Sequence, residues 1–239
     1  MLLNRIKNKA GKSLGIKIQG KRVFYSGEPF PLPVGTYHGV ISSFLHLKDN
    51  HFRYPLWVSC CNFTHAQCNT DPNGGFTSAQ LTSVRLTSPK KFACAIFGNR
   101  LHLRFKAAQE LGKFGKVDVL GSSVGPVVTN KMEILPDYKF NLCFENTIFP
   151  GYLTEKALQA KMAGCIPLYW GDPAYRVDFN AKSLINCYEY DCDFERIFAE
   201  VDFEEVRHTP LLNEVPTHYL ADMAKFLEGV MRAPSSSVF

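Results

Sequence analysis

The chain has 239 residues, of which 46 % are hydrophobic and 13 % aromatic, enough to build a core and too many for a disordered protein. No run of about 18 apolar residues encodes a membrane span, and the basic start, residues 1–19, lacks the apolar segment and cleavage site of a signal peptide. Net charge is +5, with seven basic residues (Arg5, Lys7, Lys9, Lys12, Lys17, Lys21, Arg22) before the first acid, Glu28; this reads as a solvated helix, or an arm beside an anionic ligand site, rather than a nucleic-acid surface.

In chain order, Lys21 to Ser26 is a first strand, ended by Gly27-Glu28-Pro29. A β-like stretch follows from Gly39 to Leu47, and Phe52 to Ser59 carries Pro55, which suits an edge strand. Residues 60–90 are rich in Asn, Thr, Ser, Gly and Pro and predict a long loop. From Lys91 strands and helices alternate: strand Phe92–Phe97, helix Arg100–Gly112, strand Val117–Leu120, a short helix Val127–Leu135 stopped by Pro136, strand Lys139–Phe144, helix Thr154–Ala163 with Gly164 past its end, strands Ile166–Trp170 and Ser183–Cys187, and a helix from Phe194. This order predicts a parallel sheet covered by helices on both faces. The last helix, Thr217 to Arg232, places Tyr219, Leu220, Met223, Phe226, Leu227 and Val230 on one stripe. The chain therefore divides near residue 90, into a partial domain 1–90, a Rossmann-type domain 91–216, and a C-terminal helix and tail 217–239.

Of the eight cysteines, Cys94, Cys143 and Cys165 lie in apolar strand-like runs, where a thiol behaves as a small hydrophobe. Reduced thiols and a cytoplasmic protein are expected, with peripheral contact at the inner face of a membrane through the basic N-terminus. Cys60, Cys61, His65 and Cys68 crowd into nine residues, but adjacent cysteines in a short loop make poor tetrahedral geometry and no second pair matches them. No metal site is assigned. Asp191-Cys192-Asp193 has the form of a metal-binding Asp-x-Asp, yet it lies too late in the chain for that role, and Asp193 reads as a helix cap. Phosphate-loop and dinucleotide-binding glycine patterns are absent from the sequence.

The chemistry concentrates in Tyr138-Lys-Phe-Asn-Leu-Cys-Phe-Glu-Asn146 and Tyr152-Leu-Thr-Glu-Lys156. A buried strand delivers Glu145 and Asn146 at its C-terminal end, where open α/β sheets bind ligands. Thr154 can cap the next helix, which leaves Glu155 and Lys156 in its first turn. A lysine is disfavoured there by the helix dipole. An anion held jointly by the backbone N–H groups and the ammonium accounts for it, with Glu155 placed to accept from hydroxyls.

These two segments, with Gly164-Cys-Ile-Pro-Leu-Tyr-Trp-Gly171 downstream, resemble the signature of the α-1,3/1,4-fucosyltransferases, glycosyltransferase family 10. A weaker resemblance extends to Lys21–Glu28 and to Arg104. The resemblance implies an α/β, GT-B-like fold of two Rossmann-type domains, residues 1–90 on the acceptor side and 91–216 binding a nucleotide sugar. It implies transfer of fucose from GDP-fucose, with inversion, to a hydroxyl of a GlcNAc- or Glc-containing oligosaccharide or glycolipid. By the same resemblance Glu28 would be the general base, Arg104 and Lys156 would neutralise the diphosphate, and Asn146, Tyr152 and Glu155 would bind diphosphate, sugar or ribose. Two fixed cations can replace a divalent metal behind the leaving group, so no cofactor is required and a metal would at most stimulate. Only 27 residues precede Glu28, which implies an incomplete N-terminal domain. The alternative is a GDP-sugar-binding relative without turnover.

Overall fold

A computed structural model describes residues 4–7, 13–18, 20–27, 37–45, 50–62, 75–98, 101–122, 124–215 and 219–234, the first two segments as backbone only. Internal contacts divide the chain into two units, Met1–Ser59 with Phe149–Leu153 and Pro216–Phe239, and Cys60–Ile148 with Thr154–Val215. A division at residue 90 would place 60–90 with the first unit, whereas its contacts lie with the second, and the last helix belongs with the first.

The first unit carries a five-stranded sheet in the order β1 (Asn4–Lys7), β2 (Ser13–Ile18), β3 (Lys21–Ser26), β4 (Gly39–Ser42), β5 (His51–Arg53). The basic start is thus strand where a helix or arm was expected: β1 to β3 are antiparallel, while β4 and β5 add in parallel to β3. The strand expected from Phe52 to Ser59 is corrected: β5 covers only His51–Arg53, Pro55 lies beyond it, and Leu56–Cys60 forms a 3-10 helix. The final helix, Tyr219–Arg232, packs Met223, Phe226, Leu227 and Val230 against Val23, Ile41 and the half-buried Tyr25, Phe52 and Tyr54. Gly39 permits the approach, since a Cβ there would meet Val230 Cγ2 at 2.8 Å. Lys21 Nζ donates to Ala233 O at 2.7 Å, a cation at the helix C-terminus where the dipole favours it.

The five residues Phe149–Leu153, drawn from mid-sequence, are stitched into this unit. Leu45 and Trp57 donate their backbone N–H groups to Pro150 O and Leu153 O at 3.3 and 3.4 Å. The Phe44 and Phe149 rings lie 4.4 Å apart, and Gly151 takes a left-handed φ of 85°.

In the second unit two short strands, β6 (Cys61–Asn62) and β7 (Phe76–Thr77), pair in parallel, and α1 (Ser78–Leu81) follows with Thr77 and Gln80 forming a capping box. Then come β8 (Lys91–Ile96), α2 (His102–Leu111), β9 (Val117–Leu120), α3 (Lys131–Ile134), β10 (Tyr138–Phe144), α4 (Glu155–Ala163), β11 (Ile166–Trp170), β12 (Ile185–Asn186), α5 (Phe194–Glu200) and α6 (Phe203–His208); by this count the final helix of the first unit is α7. The sheet order is β12-β11-β10-β8-β9, all parallel. One face carries Ala93, Ala95, Phe140, Leu142 and Leu168 in a cluster with Ala107, Ala108 and Leu111 of α2 and Phe194 and Ile197 of α5. Opposite-parity Cys94, Cys143 and Tyr169 are equally buried, and α4 contacts β10 and β11 while adding nothing to that cluster. A sheet covered on both faces explains why these strands read as unbroken apolar runs.

Three local expectations are corrected. The helix expected from Val127 begins only at Lys131, where Asn130 Oδ1 accepts from Met132 N–H at 3.0 Å; β-branched Val127, Val128 and Thr129 stay outside it. Pro136 does not stop it but sits at the start of a 3-10 turn, Leu135–Asp137. Strand β12 keeps only two residues because Asn186 turns its side chain to cap the following 3-10 turn, accepting from Tyr188 N–H. Helix α4 ends as expected, with Gly164 left-handed at φ 90°, and Asp193 caps α5 by accepting from Arg196 N–H at 3.0 Å.

Candidate functional site

From β8 the chain passes through α2 to β9 on one side, then returns through α3 to β10 on the other. The strand order therefore reverses between β8 and β10, and the crevice beyond their C-terminal ends is where such sheets take ligands. A cavity of about 360 Å³ lies here. Its walls are the ends of β8 and β9 (Phe97, Gly98, Gly121, Ser122), the non-helical Val127 and Val128, and the polar set Arg104, Lys131, Asn146, Glu155 and Lys156.

Arg104 sits in the first turn of α2 and is only 4 % exposed. Its Nη2 donates to Phe144 O at 2.7 Å and to Asn146 Oδ1 at 2.8 Å, so the guanidinium is pinned to the end of β10. Nearby, Glu145 is buried at the same strand end. Its Oε1 accepts from Thr154 N–H at 2.8 Å, the Thr154 hydroxyl lies 2.9 and 2.8 Å from its two oxygens, and Oε2 accepts from Lys156 Nζ at 3.0 Å. Lys156 Nζ also donates to Thr154 Oγ1 at 2.8 Å. The Thr154 hydroxyl therefore serves Glu145 and Lys156 instead of capping α4, although its backbone occupies the N-cap.

Across the cavity Lys131 Nζ stands 3.7 Å from Glu155 Oε1, and Lys156 Nζ 3.9 Å from the same oxygen. Burial would lower the Lys156 ammonium's pKa, but the Glu145 and Glu155 carboxylates outweigh it and hold it above the usual lysine value. Burial would likewise raise Glu155, yet Lys156 and Lys131 hold its carboxyl below the usual range. Three cations and one lining carboxylate thus surround a partly enclosed space, suited to a polyanion with hydroxyls beside it.

Four of the five anticipated donor-binding residues meet in this cavity: Arg104, Asn146, Glu155 and Lys156. Tyr152 is corrected. It belongs to the first unit, where its side chain is buried at 1 %, and it is not part of the lining. Glu28 lies outside the described residues. Lys131 was missed, because a helix expected from Val127 puts it in mid-helix, whereas it opens α3. Glu145 was placed at its strand end from the sequence, but its pairing with Lys156 was not, because an acid at the end of an apolar strand does not announce a partner eleven residues on.

A larger hollow, about 600 Å³, lies elsewhere in this unit between α2 and α5, with Phe114, Trp170 and Tyr188 on its walls. Of its polar groups, Glu110 pairs with Lys113 at 2.6 Å and Asp193 caps α5, and it shares no residue with the first cavity. Size favours the hollow; the concentration of fixed charge at the strand-order reversal favours the smaller cavity as the functional one.

Residues 87–200 match the family model described as glycosyltransferase family 10 (fucosyltransferase) C-term. The alpha-(1,3)-fucosyltransferase FucT of Helicobacter pylori is 39 % identical over 115 residues, which is 46 % of this chain and 23 % of that protein. The 4-galactosyl-N-acetylglucosaminide 3-alpha-L-fucosyltransferase 9 of Bos taurus is 33 % identical over 121 residues, 47 % of this chain and 34 % of that protein. The chain thus matches about a quarter to a third of the length of these relatives. A crystal structure of alpha1,3-fucosyltransferase with GDP-fucose shares the fold with a TM-score of 0.70 at 24 % identity, covering 90 % of this chain and 76 % of that one; a structure with GDP gives 0.68 at 25 %. The fold is accordingly α/β and GT-B-like. The matched span contains the entire lining of the cavity, and over that span the chain is similar to glycosyltransferase family 10.

Proposed function

We propose that the chain is an inverting glycosyltransferase that moves fucose from GDP-fucose to a hydroxyl of a GlcNAc- or Glc-containing glycan. The observation that carries this reading is the gathering of Arg104, Lys131 and Lys156 around one cavity at the strand-order reversal. A diphosphate there would meet a planar arginine fork and two ammonium groups, while Glu155 would accept from ribose or sugar hydroxyls. The solved relative with GDP-fucose, alike over 90 % of this chain, supports the same donor.

In the reaction the acceptor oxygen bonds to the anomeric carbon of fucose as that carbon's bond to the β-phosphate oxygen breaks. The electron pair leaves with GDP, and the acceptor proton passes to a general base, the role proposed for Glu28. Fixed cations stabilise the charge that gathers on the departing diphosphate without reorganising, so a divalent ion is not required. A cytoplasmic setting is part of the proposal, supported by Cys94, Cys143, Cys165 and Cys187 as buried free thiols.

The test is calorimetric titration with GDP in excess chelator, beside a transfer assay using GDP-fucose and a GlcNAc-terminated oligosaccharide. Binding in chelator together with transfer is the expected result. Loss of binding in chelator, or binding without turnover on any such acceptor, would overturn it.

A further inference from the structure

The first turn of α4 is where an anion was expected, and the structure finds one of its own there, the Glu145 carboxylate. Its side chain has no solvent exposure, and both oxygens are engaged by the Thr154 N–H, the Thr154 hydroxyl and Lys156. We propose that Glu145 is a positioning residue of the donor site, acting through Thr154 and Lys156 to hold the ammonium toward the cavity and keep it charged. The proposal rests on the donor-site reading above.

Several features separate this from a bland ion pair. Lys156 retains 20 % side-chain exposure, so it is presented to the cavity while its counter-ion is sealed behind it. Both groups share one hub, Thr154, itself buried, which fixes the ammonium by two bonds at 3.0 and 2.8 Å rather than one. The charged groups facing Lys156 from neighbouring elements are Glu145 at the end of β10, Glu155 on its own helix, Arg104 on α2, and Lys131 on α3 through their common partner Glu155. Without Glu145, Lys156 would keep half a share of one carboxylate against burial and the repulsion of Arg104. Its ammonium would then release its proton at lower pH.

Glu145→Gln gives opposite signs for the two accounts. If Glu145 were only a negative charge near an anion site, removing it would tighten GDP binding. If it positions Lys156, the glutamine Nε2 meets Thr154 and Lys156 as a donor facing donors, the ammonium swings away, and GDP binds weaker by roughly 10- to 100-fold. The parent-to-variant affinity ratio should also grow between pH 7 and pH 8.5, because a deprotonated lysine cannot pair with phosphate. Taking the ratio cancels the ionisation of GDP itself. Thr154→Val leaves both charges and removes the hub, and should weaken GDP by roughly 3- to 10-fold; it carries the test should Glu145→Gln fail to fold.

Calorimetry with GDP on the parent, Glu145→Gln, Thr154→Val and Lys156→Ala reads all of this. If the parent binds and Lys156→Ala does not, while Glu145→Gln binds as tightly as the parent with a flat ratio, this inference is overturned and the donor site stands. Parent-like affinity in Thr154→Val also overturns it. If the parent binds no GDP, the donor-site reading fails and takes this one with it.

Discussion

Replacing Arg104 by lysine keeps the charge and removes the geometry. The guanidinium makes two bonds through one nitrogen, to Phe144 O at 2.7 Å and Asn146 Oδ1 at 2.8 Å, from a side chain that is 4 % exposed. The same residue also lines the cavity. An ammonium on a shorter reach cannot serve the strand end and a phosphate together. Losing one charge-assisted bond at a buried acceptor costs about 1.5–3 kcal/mol, which for a chain of this size lowers Tm by roughly 3–12 °C. If the lost bond is instead the one to phosphate, the same energy is about a 10- to 150-fold loss of GDP affinity. Thermal denaturation and GDP titration in chelator, on the same samples, show where the loss falls. Lower stability with parent-like GDP affinity would make Arg104 a strut of the fold and remove it from the site. No change in either would refute the energetics of the buried fork altogether.

Further outcomes follow from the same geometry. Lys156→Ala strips one partner from a largely enclosed charge contact and should weaken GDP by about 2–5 kcal/mol, a factor of tens to thousands in the titration. Glu28→Gln should bind GDP like the parent while transfer falls by roughly 10²–10⁴-fold, with the acidic limb of the pH profile gone; unchanged transfer assigns the base elsewhere. Stability should decline as pH rises above about 9. Burial holds the Cys94 thiol up at about 12 and raises Cys143, Cys165 and Cys187 too, so the folded chain keeps protons that the unfolded chain releases. Lys161 pulls the other way, since burial lowers it to about 8 and its folded form gains stability as it sheds its proton, but one amine opposes four thiols. Thermal midpoints from pH 7 to 10.5 in reductant check this, and a flat or rising profile would contradict it.

Much of the second unit was legible because buried parallel strands carry their burial in their composition. Val117–Leu120 and Ile166–Trp170 stand where their apolar runs put them, and Gly164 ends α4 as a left-handed cap must. Asn146, Glu155 and Lys156 could be singled out because each sits at a strand end or a first turn, positions that local pattern can locate, whereas Arg104 was named through the family resemblance. Pattern failed where the deciding contact lies far along the chain. Thr154 looks like a helix cap to its own neighbours, and only the return of β10 beside it shows that its hydroxyl belongs to Glu145. Tyr152 was placed in the site by the family resemblance, and three-dimensional packing sends it into the interior of the other unit. The basic residues Arg5 and Lys7 lie on a strand because β2 offers backbone partners, which charge counting cannot register.

The stitched segment Phe149–Leu153 sets how this protein can be taken apart. The polypeptide changes unit at 59/60, 148/149, 153/154 and 215/216, so no single scission yields two whole pieces. A fragment spanning 60–215 would carry Phe149, Tyr152 and Leu153 without the partners that bury them, an apolar flag between β10 and α4. Grafting one relative's second unit onto another's first would have to exchange this insert along with the unit that receives it. The interval between Asn146 and Thr154 is therefore inherited with residues more than ninety positions away, such as Arg53, whose guanidinium reaches Gly151 O at 3.4 Å.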